Sequence, residues 1–446
     1  MKTVVLGMDA LEWNYLEKFI DEGLLPNFEE LIEEENSADL RSTEPPITVP
    51  AWMSMFTGKG ADELDVYRMN NLPRDSYEGD LALSHEFSGE VWDEVDQEAI
   101  VIGVPGSFPA KDSDATVLTG ALTPDTGSKG FCNDEAFRQK YSDELDEYKI
   151  DIDIEHIPGK EQRTYDEIKS ILDARHNLFK SVLKNEDPEL FVGVYMAPDR
   201  LQHHLLDEDL EWPRKLYQEM DEKLGEIRQL LDEDTNWVIV SDHGFTRCEY
   251  SFSTNHWLNK KGYLKYKGEE STVSRSRVKR ILEKTGLVNF LKYLPSGAVE
   301  EASEKLPSGR EIDWENTKAF SKGAYGMIYI NTEERPEGIV SEEKFEEVRE
   351  DIISDLESED EKGSIVAQKY EDLYSRDLNE RAADIMFHFE SREIDASASD
   401  EGRVYEPKQM YGWHDGDGVF ISRKSNPGDR LDITEVKKVI QKSLEL

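Results

Sequence analysis

Short apolar runs alternate along the chain with longer segments in which apolar residues recur every three or four positions. The runs are rich in Val, Ile and Leu and predict buried strands at residues 3–8, 99–104, 116–118, 190–196, 237–240 and 419–422. The longer segments predict amphipathic helices, among them 164–185 and 210–231. Because the two patterns alternate, we predict an α/β fold with a mostly parallel central sheet flanked by helices.

Changes in this pattern suggest how the chain is divided. Residues 1–259 are predicted to form the α/β core, with an acidic, weakly patterned surface insertion at about 125–163. Residues 260–380 lose the alternation and predict an inserted, cap-like α+β subdomain. Residues 381–446 are predicted to return to the core and to end in a helix.

A locally basic, amphipathic stretch at 274–294 lies within the predicted cap. Two interpretations of it stay open. One is a surface that draws an anionic substrate, or that docks on a partner or a membrane. The other is a helical part of the cap whose basic side chains pair with the acidic body of the protein.

The formal net charge is −44, from 97 acidic residues against 53 Lys and Arg. Acidic residues occur along nearly the whole chain, so the excess belongs to the folded surface. Such a surface repels itself in dilute buffer and is tolerated where salt screens it, which predicts a halophilic protein of a high-salt cytoplasm. Nucleic acid is not an expected partner, because binding phosphate groups along a strand requires a basic surface.

The cysteine content and the apolar runs exclude two further classes. Cys132 and Cys248 are too few and too far apart to predict a disulfide framework or a thiolate metal site. No apolar run approaches the length needed to span a bilayer, and the first residues are too short for a signal-peptide core. We therefore expect a cytoplasmic protein without a transmembrane segment.

The motif Ser241-Asp242-His243-Gly244 directly follows the predicted strand 237–240. Open α/β sheets bind their ligands at the carboxyl ends of the strands. A carboxylate and an imidazole placed there together suit a divalent metal ion. In the alternative interpretation, Asp242 caps the next helix and His243 makes a structural hydrogen bond.

The same arrangement recurs at other strand ends. Asp9 follows the first predicted strand, and Asp199 follows the strand 190–196. His203 lies four residues after Asp199, so the two side chains share one face if a helix begins after Pro198. His414 precedes the last predicted strand. Ligands from several strand ends are what a two-metal site on a sheet requires.

Thr48 lies in a proline-rich approach to a predicted helix that begins near Pro50. Its hydroxyl is therefore expected at a helix N-terminus, where negative charge is favoured. An ordinary role as the N-cap residue of that helix is the alternative.

Taken together, these residues resemble the type I phosphodiesterase/nucleotide pyrophosphatase family of the alkaline phosphatase superfamily. The resemblance covers nearly the whole chain, and segment 312–331 also looks like archaeal and bacterial members. Its motifs are Gly7-Met8-Asp9, Pro46-Ile47-Thr48-Val49-Pro50-Ala51-Trp52, Phe56-Thr57-Gly58, Pro198-Asp199-Arg200-Leu201-Gln202-His203, Ser241-Asp242-His243-Gly244, and His414 before Asp417-Gly418-Val419-Phe420.

The resemblance implies an alkaline-phosphatase-like core and a hydrolase that cleaves a phosphodiester or pyrophosphate bond in an anionic small molecule. It implies two divalent metal ions, held by Asp9, Thr48, Asp242 and His243 on one side and by Asp199, His203 and His414 on the other. Thr48 would be the nucleophile that forms a phosphothreonine intermediate. Oxygen and imidazole ligands without thiolate suit zinc or manganese.

The sequence leaves several assignments open. The family's phosphate-binding asparagine corresponds to Asn70 or Asn71, and His256 is a candidate for the lining of the pocket. A phosphomonoesterase or phosphotransferase at the same site is the alternative activity, followed by a metal-binding homologue without catalysis. Sulfatase activity is disfavoured, because that pattern needs Cys or Ser in place of Thr48.

Overall fold

The computed structural model describes residues 2–95, 98–152, 159–267, 311–359, 361–374, 377–391, 393–399, 403–408 and 411–445. The basic stretch 274–294, with its two interpretations, lies outside the described residues. Among the described helices, none is long and apolar enough to cross a membrane.

Helices and strands alternate through most of the described chain, as the apolar pattern predicts. The helices are α1 Trp13–Asp21, α2 Pro26–Glu34, α3 Thr48–Thr57, α4 Ala61–Leu64, α5 Glu135–Lys140, α6 Ser142–Glu147, α7 Glu161–Asn185, α8 Ala197–Leu205, α9 Glu211–Arg228, α10 Thr254–Lys261, α11 Glu342–Glu357, α12 Tyr370–Tyr374 and α13 Val436–Leu444. The strands are β1 Thr3–Met8, β2 Asn36–Arg41, β3 Asn70–Asn71, β4 Asp80–Leu81, β5 Ala99–Ile102, β6 Thr116–Leu118, β7 Leu190–Tyr195, β8 Asn236–Val240, β9 Gly244–Arg247, β10 Tyr250–Ser253, β11 Ala319–Ser321, β12 Met327–Ile330, β13 Ile365–Lys369, β14 Ile385–Phe389, β15 Ile394–Ser397, β16 Tyr405–Pro407, β17 Gly412–Asp415, β18 Asp417–Ser422 and β19 Arg430–Asp432.

The largest sheet has eight strands in the order β19-β2-β18-β8-β1-β7-β5-β6. The five strands from β8 to β6 are parallel to one another, and every residue of β1, β7 and β8 is buried. Both faces of these strands are covered, which is why their sequences are continuously apolar. The predicted α/β class with a mostly parallel sheet is confirmed.

The chain returns to this sheet through β18, which lies antiparallel between β8 and β2. Its core residues are those predicted as the strand 419–422, and α13 follows as the predicted final helix. The sequence pattern also predicts a helix over 89–97, where the described residues include a single turn of 3-10 helix, Val91–Glu94. Since β5 begins at Ala99, little chain remains there for a longer helix.

The remaining strands form smaller sheets beside the large one. Strands β11, β12, β14 and β13 make a four-stranded sheet, and β15, β10 and β16 make a three-stranded sheet. Residues 385–389, expected in the returning core, pair instead with β12 and β13 in the four-stranded sheet. The large sheet resumes only at β18. The domain limits at 259 and 380 stay a prediction.

The segment at 125–163 carries buried aromatic residues within its acidic sequence, and its assignment as a surface insertion stays a prediction. Phe131, Phe137, Tyr141 and Tyr148 are buried and pack into the core beside the sheet. Many charged residues lie between these aromatic residues, so the sequence shows no clear apolar pattern there. Phe137 lies on helix α5, and Tyr141 and Tyr148 flank helix α6.

A buried carboxylate on α9 closes the N-terminus of α2. Helix α2 has no cap from its own sequence, since the N-cap position is Leu25. Asp221 Oδ1 accepts a hydrogen bond from the Phe28 N–H at 2.8 Å, and its Oδ2 accepts from Asn27 Nδ2 at 2.8 Å and from the Asn27 N–H at 3.3 Å. Tertiary packing thus satisfies helix donors that local sequence leaves open.

We expect Asp221→Ala to lower the free energy of unfolding by roughly 2–4 kcal/mol, because it leaves buried N–H donors without an acceptor. Urea unfolding followed by circular dichroism measures the change. Glu222→Ala, at the exposed neighbouring position of α9, is the control and should change stability by less than about 0.5 kcal/mol. Equal effects of the two substitutions would contradict the capping role.

Candidate active site

Three aspartates meet at one edge of the large sheet because β8, β1 and β7 are adjacent and parallel. Asp9 follows β1 directly, Asp242 is the second residue after β8, and Asp199 lies in the first turn of α8, just after β7. All three side chains are fully buried. The edge that the sequence predicts as the ligand site is therefore where these carboxylates converge.

His203 and His414 complete one group of ligand atoms with Asp199. Oδ1 of Asp199 lies 3.2 Å from Nε2 of His203 and 3.2 Å from Nε2 of His414. The two Nε2 atoms are 2.9 Å apart. Ligand atoms of a tetrahedral zinc site are about 3.3 Å apart, given the usual zinc–nitrogen and zinc–oxygen distances. The three atoms are thus spaced to share one ion.

His414 reaches this group through a strand ribbon that the sequence does not reveal. It lies on β17, which pairs antiparallel with β9, and stands opposite Phe245 in the register. Because β9 begins immediately after His243, the ribbon places the two histidine rings face to face, with centroids 3.7 Å apart.

The second group consists of Asp9, Asp242 and His243. Nε2 of His243 lies 3.1 Å from Oδ2 of Asp242 and 3.8 Å from Oδ1 of Asp9. Thr48 Oγ1 lies 3.4 Å from the same Nε2 atom. The structure therefore brings the hydroxyl of Thr48 to the edge of this group, as expected for a fourth member.

Thr48 does not cap its helix. It is the first residue of α3, the N-cap position is Ile47, and no side chain accepts a hydrogen bond there. The hydroxyl of Thr48 points to His243 instead. The alternative interpretation of Thr48 as an N-cap is therefore not what the structure shows.

Carboxylate oxygens without partners mark where cations fit. Oδ1 of Asp9, Oδ1 of Asp199 and Oδ2 of Asp242 are buried and accept no hydrogen bond. These are the oxygens that face the histidine Nε2 atoms. Buried, unpaired carboxylates are costly, and divalent cations would remove that cost. The residues present therefore fit two metal ions.

The pKa shifts of the three aspartates also indicate that the site requires positive charge. Burial, with the charge of Asp199 second, raises the pKa of Asp9 well above its usual value. Burial and the charge of Asp9 likewise raise the pKa of Asp242. Burial also acts on Asp199, but His203 and Arg200 outweigh it and hold its pKa well below the usual value. Three negative charges at one site oppose one another unless cations lie between them.

Hydrogen bonds outside the two groups fix the orientation of their members. Nδ1 of His414 lies 2.8 Å from the carbonyl oxygen of Pro46, and Nδ1 of His243 lies 3.0 Å from that of Gly244. When Nδ1 carries the proton and donates it, Nε2 keeps its lone pair for a metal ion. The indole Nε1 of Trp52 donates to Oδ2 of Asp9 at 2.8 Å, which leaves Oδ1 turned inward.

Arg200 and Asp151 are parts of the site that the sequence analysis missed. The guanidinium of Arg200 donates to Oδ2 of Asp199, and through Nε and Nη2 to both oxygens of Asp151 at 2.6 and 2.7 Å. This ion pair holds Asp199 in place and offsets part of its charge. The position of Arg200 directly after Asp199 was a signal for this role. Its partner Asp151 was harder to find, because it lies in the segment 125–163 that is predicted as a surface insertion.

The two asparagine candidates differ in their surroundings. Asn70 is exposed, whereas Asn71 is buried. Oδ1 of Asn71 accepts hydrogen bonds from the backbone N–H groups of Tyr67 at 2.9 Å and Arg68 at 3.1 Å. Its Nδ2 is buried and has no partner. Asn71 therefore has a fixed amide with a free donor.

His256 and His204 lie outside both groups of ligand atoms. His256 belongs to α10, where the neighbouring Asn255 binds the carbonyl oxygens of Ser321 and Ala398. The predicted place of His256 in the pocket lining stays a prediction. Cys132 and Cys248 are not joined by a disulfide bond.

A cleft of about 360 Å³ opens beside His414. Its walls include Pro46, Tyr325, Trp413 and Asp395, so the loop between β2 and α3 and the smaller sheets contribute to it. The ring of Tyr325 lies 5.3 Å from that of Trp413 and 5.5 Å from that of His414. A small molecule bound there would lie directly against His414, a member of the group with Asp199 and His203.

Comparison with known proteins agrees with this geometry. The family model described as type I phosphodiesterase / nucleotide pyrophosphatase matches residues 3–417. No curated protein matches the sequence significantly.

Several solved structures share the fold. Phosphonoacetate hydrolase from Sinorhizobium meliloti is 13% identical with a TM-score of 0.63, over 100% of this chain and 96% of that chain. Murine ectonucleotide pyrophosphatase/phosphodiesterase 5 is 12% identical with a TM-score of 0.57, over 100% and 95% of the two chains. The alkaline phosphatase PafA is 11% identical with a TM-score of 0.57, over 99% and 95%.

The family model spans nearly the whole chain, including every residue of the two ligand groups and Thr48. The chain therefore belongs to the type I phosphodiesterase/nucleotide pyrophosphatase family and is a metal-dependent phosphoester hydrolase with an alkaline-phosphatase-like fold.

Proposed function

We propose that this hydrolase cleaves a phosphodiester or pyrophosphate bond through a phosphothreonine intermediate at a two-metal site. The observation that carries the proposal is the approach of Thr48 Oγ1 to the group of Asp9, Asp242 and His243, whose two carboxylates each have a buried oxygen without a partner. A hydroxyl is a weak nucleophile at neutral pH and needs such a site to react.

We assign Asp9, Asp242 and His243, together with Thr48, to one cation. Asp199, His203 and His414 would hold the other. The donor atoms favour zinc, with manganese as the second choice. When bound, the two ions supply positive charge that lowers the pKa of the Thr48 hydroxyl and offsets the negative charge of the phosphate.

The chain's own residues then account for the steps of the reaction. Thr48 Oγ1 attacks phosphorus and loses its proton, and the bond from phosphorus to the leaving oxygen breaks. Water next attacks phosphorus from the side opposite Thr48, the bond from phosphorus to Oγ1 breaks, and Oγ1 takes up the proton that the water gives up, which releases the phosphate product. Because Thr48 is the first residue of α3, the N–H groups of that helix end favour negative charge on the phosphate oxygens.

Asn71 is the asparagine that we propose as a phosphate contact. Its Oδ1 is held by two backbone N–H groups, so the amide cannot turn freely. A phosphate oxygen would supply the acceptor that the buried Nδ2 lacks. Asn70 offers no comparable reason to bind substrate, since it is exposed.

The net charge of −44 supports a further part of the proposal, a high-salt cytoplasm as the working environment. At low ionic strength, an acidic surface of this kind repels itself over distances that molar salt screens.

Metal content tests the two-site assignment. The purified protein should hold about two divalent ions per chain, and a chelator should remove both ions and the activity. Asp199→Asn and Asp242→Asn should each lose about one ion, because they belong to different groups. Asp209→Asn, at an exposed position after α8, is the matched control and should keep both. Mass spectrometry of the metals measures the content, and full occupancy in both site variants would contradict the assignment.

Substitution of Thr48 tests the covalent mechanism. Thr48→Ala should reduce kcat/KM for bis-p-nitrophenyl phosphate by about a thousandfold or more, because the nucleophile is lost. Thr48→Ser keeps a hydroxyl and should retain measurable activity and a phosphorylated residue 48 after rapid acid quench.

A substrate panel, measured with the same metal-loaded protein, tests the type of bond. The diester should be hydrolysed faster than p-nitrophenyl phosphate and p-nitrophenyl sulfate. A Thr48→Ala protein with full diester activity would rule out the phosphothreonine step, and a preference for the monoester would replace diesterase by monoesterase.

Salt dependence tests the proposed environment. The Tm should rise when KCl is increased from about 0.1 M to molar concentrations, because screening weakens repulsion among surface carboxylates. Differential scanning fluorimetry measures this, with NaCl as a comparison for ion type. A Tm that stays constant or falls over that range would contradict a halophilic surface.

A further inference from the structure

Two cationic side chains meet where the core joins the four-stranded sheet. Arg68 follows α4, and Lys322 lies in the turn between β11 and β12. A methyl group on Gly323, the residue after Lys322, would come within 2.4 Å of Nη2 of Arg68. Burial, with the charge of Arg68 second, lowers the pKa of Lys322. The two positive charges are therefore close enough to oppose each other.

Neither cation has an ion pair with a carboxylate among the residues that the structure describes. This is unexpected in a chain with 97 acidic residues and 53 Lys and Arg. Nη1 of Arg68 is buried and has no hydrogen-bond partner. The ammonium group of Lys322 donates to the carbonyl oxygen of Tyr77, which carries no net charge. The pair thus retains positive charge that the fold does not neutralise.

The nearby Arg335 provides a contrast. Its Nη1 donates to the carbonyl oxygens of Pro73, at 2.9 Å, and Ser76. Its guanidinium also lies 5.3 Å from the ring centroid of Phe320. These contacts give Arg335 a structural role, whereas Arg68 makes a side-chain hydrogen bond with Tyr329 and Lys322 lies within electrostatic reach of Glu78.

Short stretches of backbone connect both cations to the active site. The backbone N–H of Arg68 donates to Oδ1 of Asn71, our proposed phosphate contact. Lys322 lies three residues before Tyr325, whose ring is 5.5 Å from that of His414. Arg68 is thus linked to the proposed phosphate contact, and Lys322 lies on the turn whose Tyr325 packs beside His414.

The turn that carries Lys322 is held in place. Tyr325 has a φ of +66°, a left-handed conformation that is uncommon for a residue other than glycine. Its N–H donates to the carbonyl oxygen of Ala396 at 2.8 Å, and the N–H of Ala398 donates to that of Gly323 at 2.6 Å. Strained backbone that tertiary contacts maintain is typical of functional sites.

We propose that Arg68 and Lys322 form a second anion subsite, which binds a carboxylate or phosphate group that the substrate carries in addition to the phosphorus that is cleaved. This inference rests on the proposed function, because it names a substrate class for the same site. Guanidinium and ammonium groups without carboxylate partners are the groups that bind such anions. The substrate is then a phosphate ester with at least one further negative group.

Inhibition of bis-p-nitrophenyl phosphate hydrolysis tests the subsite, because this diester has no second anionic group. The inhibitors are inorganic phosphate, pyrophosphate and phosphonoacetate, measured with free metal ion held constant. The wild-type protein should bind pyrophosphate or phosphonoacetate more tightly than phosphate, and the better of the two tells whether the second group is a phosphate or a carboxylate.

Substitutions of Arg68 and Lys322 test whether these two side chains cause the tighter binding of the larger anions. Arg68→Met and Lys322→Met should each raise the inhibition constant of the better two-group inhibitor by about tenfold relative to that of phosphate. This is the usual range for the loss of a charged hydrogen bond. Lys322→Arg keeps the charge and should restore most of the difference. Lys344→Met removes one exposed lysine from α11 and should leave the ratio of inhibition constants unchanged.

The outcomes separate this inference from the proposed function. If the metal-loaded wild-type protein does not hydrolyse the diester, the proposed function fails. If it does, but Arg68→Met and Lys322→Met leave the ratio of inhibition constants unchanged, the diesterase stands and the second subsite is overturned. A wild-type protein that binds phosphate as tightly as both larger anions also overturns the subsite.

Discussion

Mutual repulsion among Asp9, Asp199 and Asp242 is the constraint on which the site depends. Their carboxylates are fully buried at one sheet edge, and each presents an oxygen that no hydrogen-bond donor satisfies. Burial and the neighbouring charges raise the pKa of Asp9 and Asp242. Such a group is tolerable only if positive charge lies within it. The imidazoles and the Thr48 hydroxyl lie beside these carboxylates. The surrounding hydrogen bonds fix their orientation, and together these groups define where a positive charge would bind.

The groups behind the ligands show how rigidly the arrangement is held. Trp52 fixes one oxygen of Asp9, and backbone carbonyls of Pro46 and Gly244 fix the rings of His414 and His243. Arg200 links Asp199 to Asp151, which lies in a segment far from the other ligands in sequence. Outer contacts of this kind set ring orientation and ligand basicity. The site is therefore built from most of the chain, and not from the motif residues alone.

The distribution of charge gives the protein two different electrostatic environments. The formal charge of −44 is the basis of the proposed high-salt environment. At the junction with the four-stranded sheet, Arg68 and Lys322 remain without carboxylate partners among the described residues. An acidic protein that acts on an anionic molecule must favour that anion locally, because its overall field opposes the approach. Metal ions and a small group of unpaired cations would both serve that purpose.

The sequence by itself determined the α/β class, the strand ends that carry Asp9, Asp199 and Asp242, and the family, because buried parallel strands are continuously apolar and their carboxyl ends share one edge. It could not choose between Asn70 and Asn71, since the choice depends on burial and on backbone donors from Tyr67 and Arg68. Only the tertiary structure decided that β17 brings His414 to Asp199, that Arg200 binds Asp151, and that Arg68 meets Lys322. Each of these contacts joins residues far apart in the chain, and local patterns carry no information about such distances.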